Sequence, residues 1–291
     1  MKTITITSAQ NPRIKELQSL AGKSKARSDA GLFVVEGQRE LGHCLAAGFV
    51  PETVFVCRDV ASSFSGNSAV EGKTGLEELV TAAARLNPDL SLIELPAFLY
   101  EKVAYRGTTE GIMAVTRSRS LTLGDLQLPD NPLVLVLESV EKPGNLGAVL
   151  RSADAAGADA VIVCDPLTDI WNPNLIRSSV GAVFTVPVAV CTSAQAIDFL
   201  KARSIRIFTA QLQDSSLYYD ADFTRPAALV MGTEATGLSG QWREAADSHI
   251  RLPMLGSVDS LNVSVSASIL LYEALRQRTA ISGKAPGRAD I

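Results

Sequence analysis

From residue 131 onward, apolar runs alternate with segments of helical period. The apolar runs are PLVLVLE, ADAVIVCD, AVFTVPVAV, IRIFTA and AALVMG, and the helical segments include GNLGAVLRSADAAG, NPNLIRSSVG and SAQAIDFLKAR. A short segment near GQWREAAD, the run IRLPM and a long helix from about Leu261 to Arg278 complete the series. Continuous Val, Ile and Leu strands separated by helices are typical of a parallel sheet covered on both faces. The pattern therefore predicts an α/β domain over residues 131–281.

Residues 1–117 show a second, smaller α/β pattern. It contains the strands LFVVE, TVFVC and GIMAVT, and helices over residues 11–20, over residues 38–47 and over LEELVTAAARL. The stretch SSFSGNSAVEGKTG reads as a loop within it. We expect a linker over residues 118–130 and a polar tail over residues 282–291, so that 291 residues form two domains.

Composition narrows the class of protein. Hydrophobic residues make up 46% of the chain and charged residues 20%, and no apolar run reaches the ~18 residues of a membrane span. The first residues are polar and basic where a signal peptide would be apolar, so we expect a cytoplasmic protein without a membrane segment. The four cysteines form no CxxC pair and are expected to be buried free thiols. Two histidines, His43 and His249, are too few for a histidine-rich metal site or a Ser/His/Asp triad, and we expect no metal.

The charge distribution leaves a nucleic-acid partner open. In residues 1–30, six Lys and Arg residues against two acidic ones give a local charge of +4, and because the whole chain carries −4, the remainder carries −8. Such a basic segment is either a solvated face or a surface that contacts RNA phosphates.

Three polar segments follow predicted strands. In LESVEKPGNLGAVLRSADAAG, a strand ends at Glu138 and Pro-Gly-Asn opens a helix, whose N-terminus suits an anion or a closely approaching ligand. Asn145 is either a helix N-cap or a site residue, and Arg151 is either an exposed helix arginine or a site residue. Neither a GxGxxG nor a P-loop pattern occurs, which argues against NAD and nucleoside triphosphates.

The other two segments are LVMGTEATGLS and RLPMLGSVDSLNVSVSASILLYEALRQR. The first places Glu234 between glycines just beyond a buried strand, where ligands bind in open parallel sheets. The second crowds Ser and Asn into the start of a long helix, although both have poor interior helix propensity, which indicates tight backbone packing or ligand contact.

Together these segments resemble the three motifs of the SpoU (TrmH-type) family of RNA 2'-O-ribose methyltransferases, in the SPOUT class. The resemblance rests on N-x5-R after a strand, then MGxExxGLS, then LPMxGSxxSLNVSVSAxILLYEALRQR, in this order, and it spans roughly residues 131–281. Lys142 departs from the family pattern, which commonly has an acidic residue before Pro-Gly-Asn. The segments SAQNPRIKELQSL and KSKARSDAGLFVVEG resemble the substrate-binding domain of these enzymes, which is similar to small ribosomal RNA-binding proteins.

The resemblance implies a fold, an activity and a set of site residues. The fold is a parallel-sheet domain with a deep trefoil knot, an exception to unknotted topology. The activity is methyl transfer from S-adenosylmethionine to a ribose 2'-OH of RNA, with ribosomal RNA favoured over transfer RNA, by a homodimer. The catalytic set would be Arg151, Asn145, Glu234, Ser260 and Asn262. The donor-binding set would be Gly232, Leu252, Leu261, Thr209, Ala210 and Met254. The RNA-binding set would be Arg13, Lys15, Lys23, Lys25 and Arg27.

The role of Arg151 stays open at this point. The family assigns proton removal to this arginine, but a guanidinium group is ordinarily a poor base. Either a substrate phosphate takes part in the proton transfer, or the arginine only clamps phosphate and ribose. Three alternative readings are a transfer RNA methyltransferase, a non-catalytic RNA-binding protein that keeps the fold, and an unrelated α/β enzyme with a nucleotide cofactor.

Overall fold

A computed structural model describes residues 2–65, 75–105, 110–233 and 237–282. The strands are β1 Lys2–Thr5, β2 Leu32–Glu36, β3 Pro51–Val56, β4 Ser91–Glu94, β5 Ile112–Arg117, β6 Leu133–Glu138, β7 Ala160–Cys164, β8 Val188–Cys191, β9 Arg206–Ala210, β10 Ser216–Leu217, β11 Ala227–Met231 and β12 Ser248–Arg251. The helices are α1 Pro12–Gly22, α2 Ser24–Ala30, α3 Gln38–Ala46, α4 Arg58–Ser65, α5 Leu76–Leu86, α6 Ala97–Val103, α7 Pro143–Ala155, α8 Pro173–Ser178, α9 Ala182–Thr185, α10 Ser193–Ala202, α11 Gly240–Ala245 and α12 Val263–Ser282.

The C-terminal sheet has seven strands in the order β10-β12-β9-β11-β6-β7-β8, and all its pairings are parallel. Strands β6, β7 and β11 are buried along their whole length, as their continuous apolar sequences predict. Val134 and Val136 of β6 pack in one core with α10 and with Trp242 of α11. Side chains alternate along a strand, so Leu135 and Leu137 face the opposite side, where α7 and α12 pack together. The predicted α/β domain with a parallel sheet is confirmed, and the knot stays a prediction.

This topology gathers the functional segments at one edge. Because the strands are parallel, the carboxyl ends of β6, β9, β11 and β12 meet there. The chain leaves those ends through residues 139–142, 211–213, 232–238 and 252–262. Ligands of open α/β sheets bind beyond the carboxyl ends of the strands.

The N-terminal sheet has five strands in the order β1-β4-β3-β5-β2, and it is mixed, because β5 runs antiparallel to both β2 and β3. The predicted α/β class is correct, but β1 and β4 were not predicted, since four-residue strands with polar ends give little periodic signal. The predicted loop from Ser62 was wrong at its start, because α4 continues to Ser65. The rest of that loop, except Gly75, lies outside the described residues.

Residues Asp169–Thr185 group with the N-terminal unit by contacts. The two compact units are the residues up to Ser120 with Asp169–Thr185, and Leu121–Thr168 with the chain from Val186 onward. Trp171 stacks on Phe33 with ring centroids 4.5 Å apart. The boundaries predicted from the sequence, with domains over 1–117 and 131–281, assign this segment to the other domain, and they stay predictions.

The run AVFTVPVAV was predicted as one strand, and this was wrong. Its first half forms the short helix α9, and β8 begins only at Val188. Pro187, which lacks a backbone N–H, stands between the two elements. The Val, Phe and Thr side chains of this run have high strand propensity, so the tertiary environment overrides local preference here.

No described helix is long and apolar enough to cross a membrane. The four cysteines are free thiols, as the sequence predicted. Cys44, Cys57 and Cys164 are buried, also as predicted, whereas Cys191 is only half-buried. Within the described ranges, no group of three or more His, Cys, Asp or Glu side chains is arranged to hold a metal ion.

Candidate active site

The helix α7 carries the first motif. Lys142 is its N-cap residue, with extended backbone, and Pro143 occupies the first helical position, where a missing N–H costs nothing. Asn145 is therefore the third helical residue and not the N-cap, which was the alternative reading of this residue. Asn145 is half-buried, whereas Arg151 is exposed further along the helix.

The start of α12 carries the third motif and contacts α7. The Asn262 side chain accepts from the Ser264 backbone N–H at 2.9 Å and from the Ser264 hydroxyl at 2.6 Å through the same oxygen, Oδ1. Its Nδ2 therefore faces away from α12 and donates to Oδ1 of Asn145 at 3.3 Å. One turn or more further along, the hydroxyl oxygens of Ser152 and Ser268 lie 2.7 Å apart. These two polar contacts join α7 to α12 and involve Asn262 and Ser268, two of the small polar residues that crowd the first turns of α12.

The described residues of the second motif, on both sides of 234–236, come close together after β11. Thr233 and Gly237 exchange backbone hydrogen bonds of 3.3 and 3.1 Å. A Cβ atom on Gly232 would lie 2.3 Å from the carbonyl carbon and oxygen of Gly237, so only glycine permits this approach. Glu234 lies outside the described residues.

A cavity of about 390 Å³ opens at this edge of the sheet, and we call it the donor cavity. Its predicted lining residues are Ala210, Gly232, Leu252, Met254 and Leu261 from the donor-binding set, with Ser260 from the catalytic set. Thr209 is fully buried and is not part of the lining, because its hydroxyl lies 2.6 Å from Nδ1 of His249. The structure thus brings together six of the predicted residues from three separate strand ends.

A smaller cavity of about 120 Å³ adjoins the donor cavity, and we call it the target cavity. It is lined by Val140, Glu141, Lys142 and Asn145. It shares Gly232, Thr233 and Val263 with the donor cavity. Asn145 on one side and Ser260 on the other therefore flank a common wall.

Sequence reasoning missed several charged and amide residues of the donor cavity. Gln211, Arg243, Arg251 and Asp259 line it. Gln211 donates from Nε2 to the Gln213 carbonyl at 2.9 Å, and Nη1 of Arg251 lies 3.4 Å from the Ser215 hydroxyl. Gln211 directly follows β9, so its position at a strand end was a usable signal; no comparable pattern marks Arg243.

The predicted RNA-binding residues divide into two groups. Arg13, Lys15, Lys23 and Lys25 are exposed on or next to α1 and α2, and Arg13 also donates to the Thr53 hydroxyl at 3.2 Å. Arg27 is only 4% exposed. Its Nε lies 2.5 Å from the Asp169 carboxylate, and its Nη1 donates to the Leu20 carbonyl at 2.6 Å. Arg27 therefore serves the fold of this unit, and we do not carry it forward as an RNA contact.

Comparisons with known proteins support the same assignment. A model described as the SpoU rRNA Methylase family matches residues 132–272, and a model described as an MRM3-like substrate binding domain matches residues 11–114. The 23S rRNA (uridine(2479)-2'-O)-methyltransferase of Streptomyces viridochromogenes is 30% identical over 283 residues, covering 95% of this chain and 93% of the relative.

Solved structures agree over nearly the whole chain. The crystal structure of an RNA 2'-O ribose methyltransferase is 39% identical with a TM-score of 0.76, covering 94% of this chain and 99% of the other. The SpoU methyltransferase AviRb from Streptomyces viridochromogenes, in complex with the cofactor AdoMet, is 28% identical with a TM-score of 0.78, covering 93% and 100%. The predicted family is confirmed: this chain belongs to the SpoU rRNA methylase family.

Proposed function

We propose that this chain transfers a methyl group from S-adenosylmethionine to a ribose 2'-OH of ribosomal RNA. The observation that carries the proposal is the convergence of three separate motifs on two adjoining cavities with a shared wall. The relatives whose names state such a reaction on 23S rRNA add to it, because similarity to one of them extends over nearly the whole chain.

The donor cavity suits S-adenosylmethionine in size and chemistry. Its 390 Å³ fall within the roughly 300–1,000 Å³ of small-molecule sites. Leu252, Met254 and Leu261 supply apolar surface, while Gly232, which has no side chain to cover its peptide groups, lines the same cavity and can offer main-chain hydrogen bonds. Methyl transfer breaks the bond between the sulfonium and its methyl group and leaves a neutral thioether, while the 2'-OH proton passes to a substrate phosphate or to water. This chain therefore has to align the oxygen nucleophile with the methyl carbon.

Asn145 and Arg151 are the proposed residues on the target side. Asn145 lines the target cavity with its amide oriented by Asn262, and we assign it the positioning of the ribose. Arg151 is exposed on the same helix and makes no hydrogen bond or ion pair with another side chain among the described residues. Its fork of N–H donors is therefore available for a bidentate contact with phosphate, and we assign it the clamp role.

Two further catalytic assignments stay part of the proposal. Ser260 lines the donor cavity, and its hydroxyl lies 3.4 Å from the Asp259 carboxylate. Glu234 belongs to the second motif, in the loop whose ends Thr233 and Gly237 line the donor cavity. Both would complete the polar wall between donor and target.

Labelling of RNA tests the reaction. Purified protein is incubated with tritiated S-adenosylmethionine and total RNA from a strain of the source organism that lacks the gene, with the Arg151→Ala variant as the inactive control. Label in 23S ribosomal RNA that survives alkali as a dinucleotide is expected, because a 2'-O-methyl group blocks the attack by which alkali cleaves RNA. Label in base atoms would overturn the 2'-O assignment, and label in transfer RNA would favour that alternative substrate. The absence of both label and donor binding in calorimetry would favour the non-catalytic alternative.

The exposed basic residues of the N-terminal unit are the proposed RNA contacts. Arg13, Lys15, Lys23 and Lys25 lie on or next to two consecutive helices in the region with the local positive charge. Neutralising all four should weaken RNA binding and reduce its salt dependence, since each phosphate contact releases counterions. An unchanged slope of affinity against salt would contradict this surface.

Ribosomal RNA as the substrate implies a cytoplasmic location.

We further propose a homodimer that uses α12. Val263, Leu270 and Leu271 are buried in the core of their own unit, whereas Val265 and Tyr272 stay 46% and 51% exposed. The two exposed residues are seven positions apart and share one face of the helix. Light scattering should give twice the chain mass for the wild type and a smaller mass for Val265→Asp with Tyr272→Asp; a monomeric wild type would overturn the proposal.

A further inference from the structure

A buried carboxylate stands at the end of β6. Glu138 is 5% exposed. Its Oε1 accepts from the Ser239 hydroxyl at 2.6 Å and its Oε2 accepts from the Ser239 backbone N–H at 2.8 Å. The Ser193 hydroxyl lies 3.2 Å from Oε1 but also 2.7 Å from Oδ2 of Asp165. Because one hydroxyl proton serves one acceptor at a time, Ser239 is the principal partner of Glu138.

Ser239 ends the loop of the second motif. Its neighbours Gly237 and Leu238 line the donor cavity, and α11 begins at the next residue, Gly240. Ser239 is the N-cap residue of α11, yet its side chain makes no capping hydrogen bond. The hydroxyl that would ordinarily stabilise its own helix is directed to Glu138 instead. The loop is thereby tied to the sheet.

Glu138, the partner of Ser239, lies at the end of a central strand of the sheet. Glu138 is paired in register with Cys164 of β7, and its neighbour Leu137 with Met231 of β11, so its backbone lies between the central strands. Two residues after Glu138, Val140 lines the target cavity. The chain after Glu138 therefore lines the target cavity, while the Glu138 side chain bonds Ser239, next to the residues that line the donor cavity.

We propose that Glu138 is a positioning residue that, through Ser239, holds Gly237 and Leu238 in place in the wall of the donor cavity. This inference rests on the proposed function and deepens it. Glu138 acts through the loop and contacts neither cavity, since it is absent from the lining of both.

The matched variants are Glu138→Gln and Asp165→Asn. A glutamine keeps one acceptor oxygen for the Ser239 hydroxyl but presents an NH₂ group to the Ser239 N–H, so one of two hydrogen bonds is lost. Asp165 offers the same chemistry at the end of the neighbouring strand, because its Oδ2 accepts from the Ser193 N–H at 2.9 Å and the Ser193 hydroxyl at 2.7 Å, but it has no hydrogen bond to Ser239.

Calorimetric binding of S-adenosylmethionine to the unliganded protein is the first readout, beside thermal melting and turnover. We expect Glu138→Gln to raise the Kd for the donor roughly ten-fold and to lower kcat as well, since a hydrogen bond to a charged group is lost. Asp165→Asn should leave the Kd within two-fold, even at a similar loss of melting temperature. Equal loss of donor affinity in both variants, or none in Glu138→Gln, would overturn the proposal.

Ser239→Ala and Ser239→Thr cover the case in which Glu138→Gln does not fold, because Ser239 is exposed and these changes are small. The alanine variant should weaken donor binding and the threonine variant, which keeps the hydroxyl, should restore it. Alanine and threonine variants with equal affinity would refute a role for this hydroxyl. If the wild type binds no S-adenosylmethionine, the proposed function itself fails, whereas wild-type binding with unaffected variants sinks only the positioning role.

Discussion

Nδ2 of Asn262, at the start of α12, donates to Oδ1 of Asn145 in the first turn of α7 across 3.3 Å. The two residues are 117 positions apart in sequence and come from the first and third motifs. Because Oδ1 of Asn262 is held by Ser264, the orientation of this amide follows from the hydrogen-bond pattern. The Asn145 side chain is thus oriented from a second helix.

We expect Asn145→Ala and Asn262→Ala each to lower kcat by about 10²-fold, since a small misplacement of a positioning group has effects of that order. The double variant should be little worse than either single one, because both changes remove the same contact. Ser264→Ala is the control, as it removes a hydroxyl bonded to Asn262 but not the contact with Asn145. Fully additive losses in a double-mutant cycle would contradict a shared role.

The sequence predicted the C-terminal sheet well, for a physical reason. Strands β6, β7 and β11 are buried on both faces, so their apolar runs are continuous and their bounds differ from prediction by at most two residues. Contacts between distant segments leave no period in a sequence. The family resemblance placed Asn145 and Asn262 in one catalytic set, but it did not predict the hydrogen bond between them. Arg27 was predicted as an RNA contact because it lies in a basic segment. The local sequence does not distinguish an exposed arginine from one that is buried and paired with a distant residue such as Asp169.

The function of Glu138 was equally hidden. Glu138 is the last residue of an apolar run, so the sequence predicts only the polar end of a strand there. Its partner Ser239 has the sequence position of an ordinary helix N-cap. Only the return of the chain after β11 brings them together. Thr209 failed as a lining residue for a related reason, because side chains alternate along a strand and its hydroxyl is directed to His249.

Arg151→Lys should abolish methyl transfer while it leaves RNA affinity within a few fold. A lysine keeps the positive charge but cannot reproduce the planar fork that contacts phosphate through two hydrogen bonds. Single-turnover methylation and filter binding of the same RNA separate the two effects. Arg203→Lys is the control, since that guanidinium lies 3.9 Å over the Phe199 ring of α10 and lines neither cavity. Unchanged turnover in Arg151→Lys would sink the assignment.

Gly232→Ala should remove binding of S-adenosylmethionine. The added Cβ would lie 2.3 Å from the backbone of Gly237, so the loop must move away from β11 and widen the shared wall of the cavities. Gly240→Ala is the matched control, because a Cβ there meets nothing within 4 Å. Calorimetry should give no measurable heat of donor binding for the first variant and the wild-type Kd for the second. Wild-type affinity in Gly232→Ala would show that this backbone approach is not needed.

Arg278→Gln should destabilise the protein. The guanidinium donates to the carbonyls of Asn131, Pro132, Phe223 and Arg225 at 2.8–3.0 Å. Burial lowers the pKa of Arg278, and the charge of Asp159 offsets this effect only in part. We expect a loss of about 2–3 kcal/mol in the free energy of unfolding, since hydrogen bonds from a charged group are removed and carbonyls lose their donors. The control Arg276→Gln, on the same helix, removes an exposed guanidinium that pairs with Glu273, while Gln277 keeps its hydrogen bond to that carboxylate; it should shift the urea midpoint much less than Arg278→Gln does.

Cys191 should be the most reactive thiol of the native protein. Cys164 and Cys191 are register partners on β7 and β8, and the hydrogen bond from the Cys164 thiol lowers the pKa of Cys191 while it raises that of Cys164. Burial raises the pKa of Cys44 to about 12. Because the thiolate is the nucleophile, a lower pKa means faster alkylation at a given pH. Iodoacetamide at pH 8 should therefore modify Cys191 first, as measured by peptide mass spectrometry over time.

Cys164→Ala removes the donor and should shift the alkylation of Cys191 to higher pH, whereas Cys164→Ser keeps a donor and should not. Faster labelling of Cys44 or Cys164 in the folded wild type would refute this order.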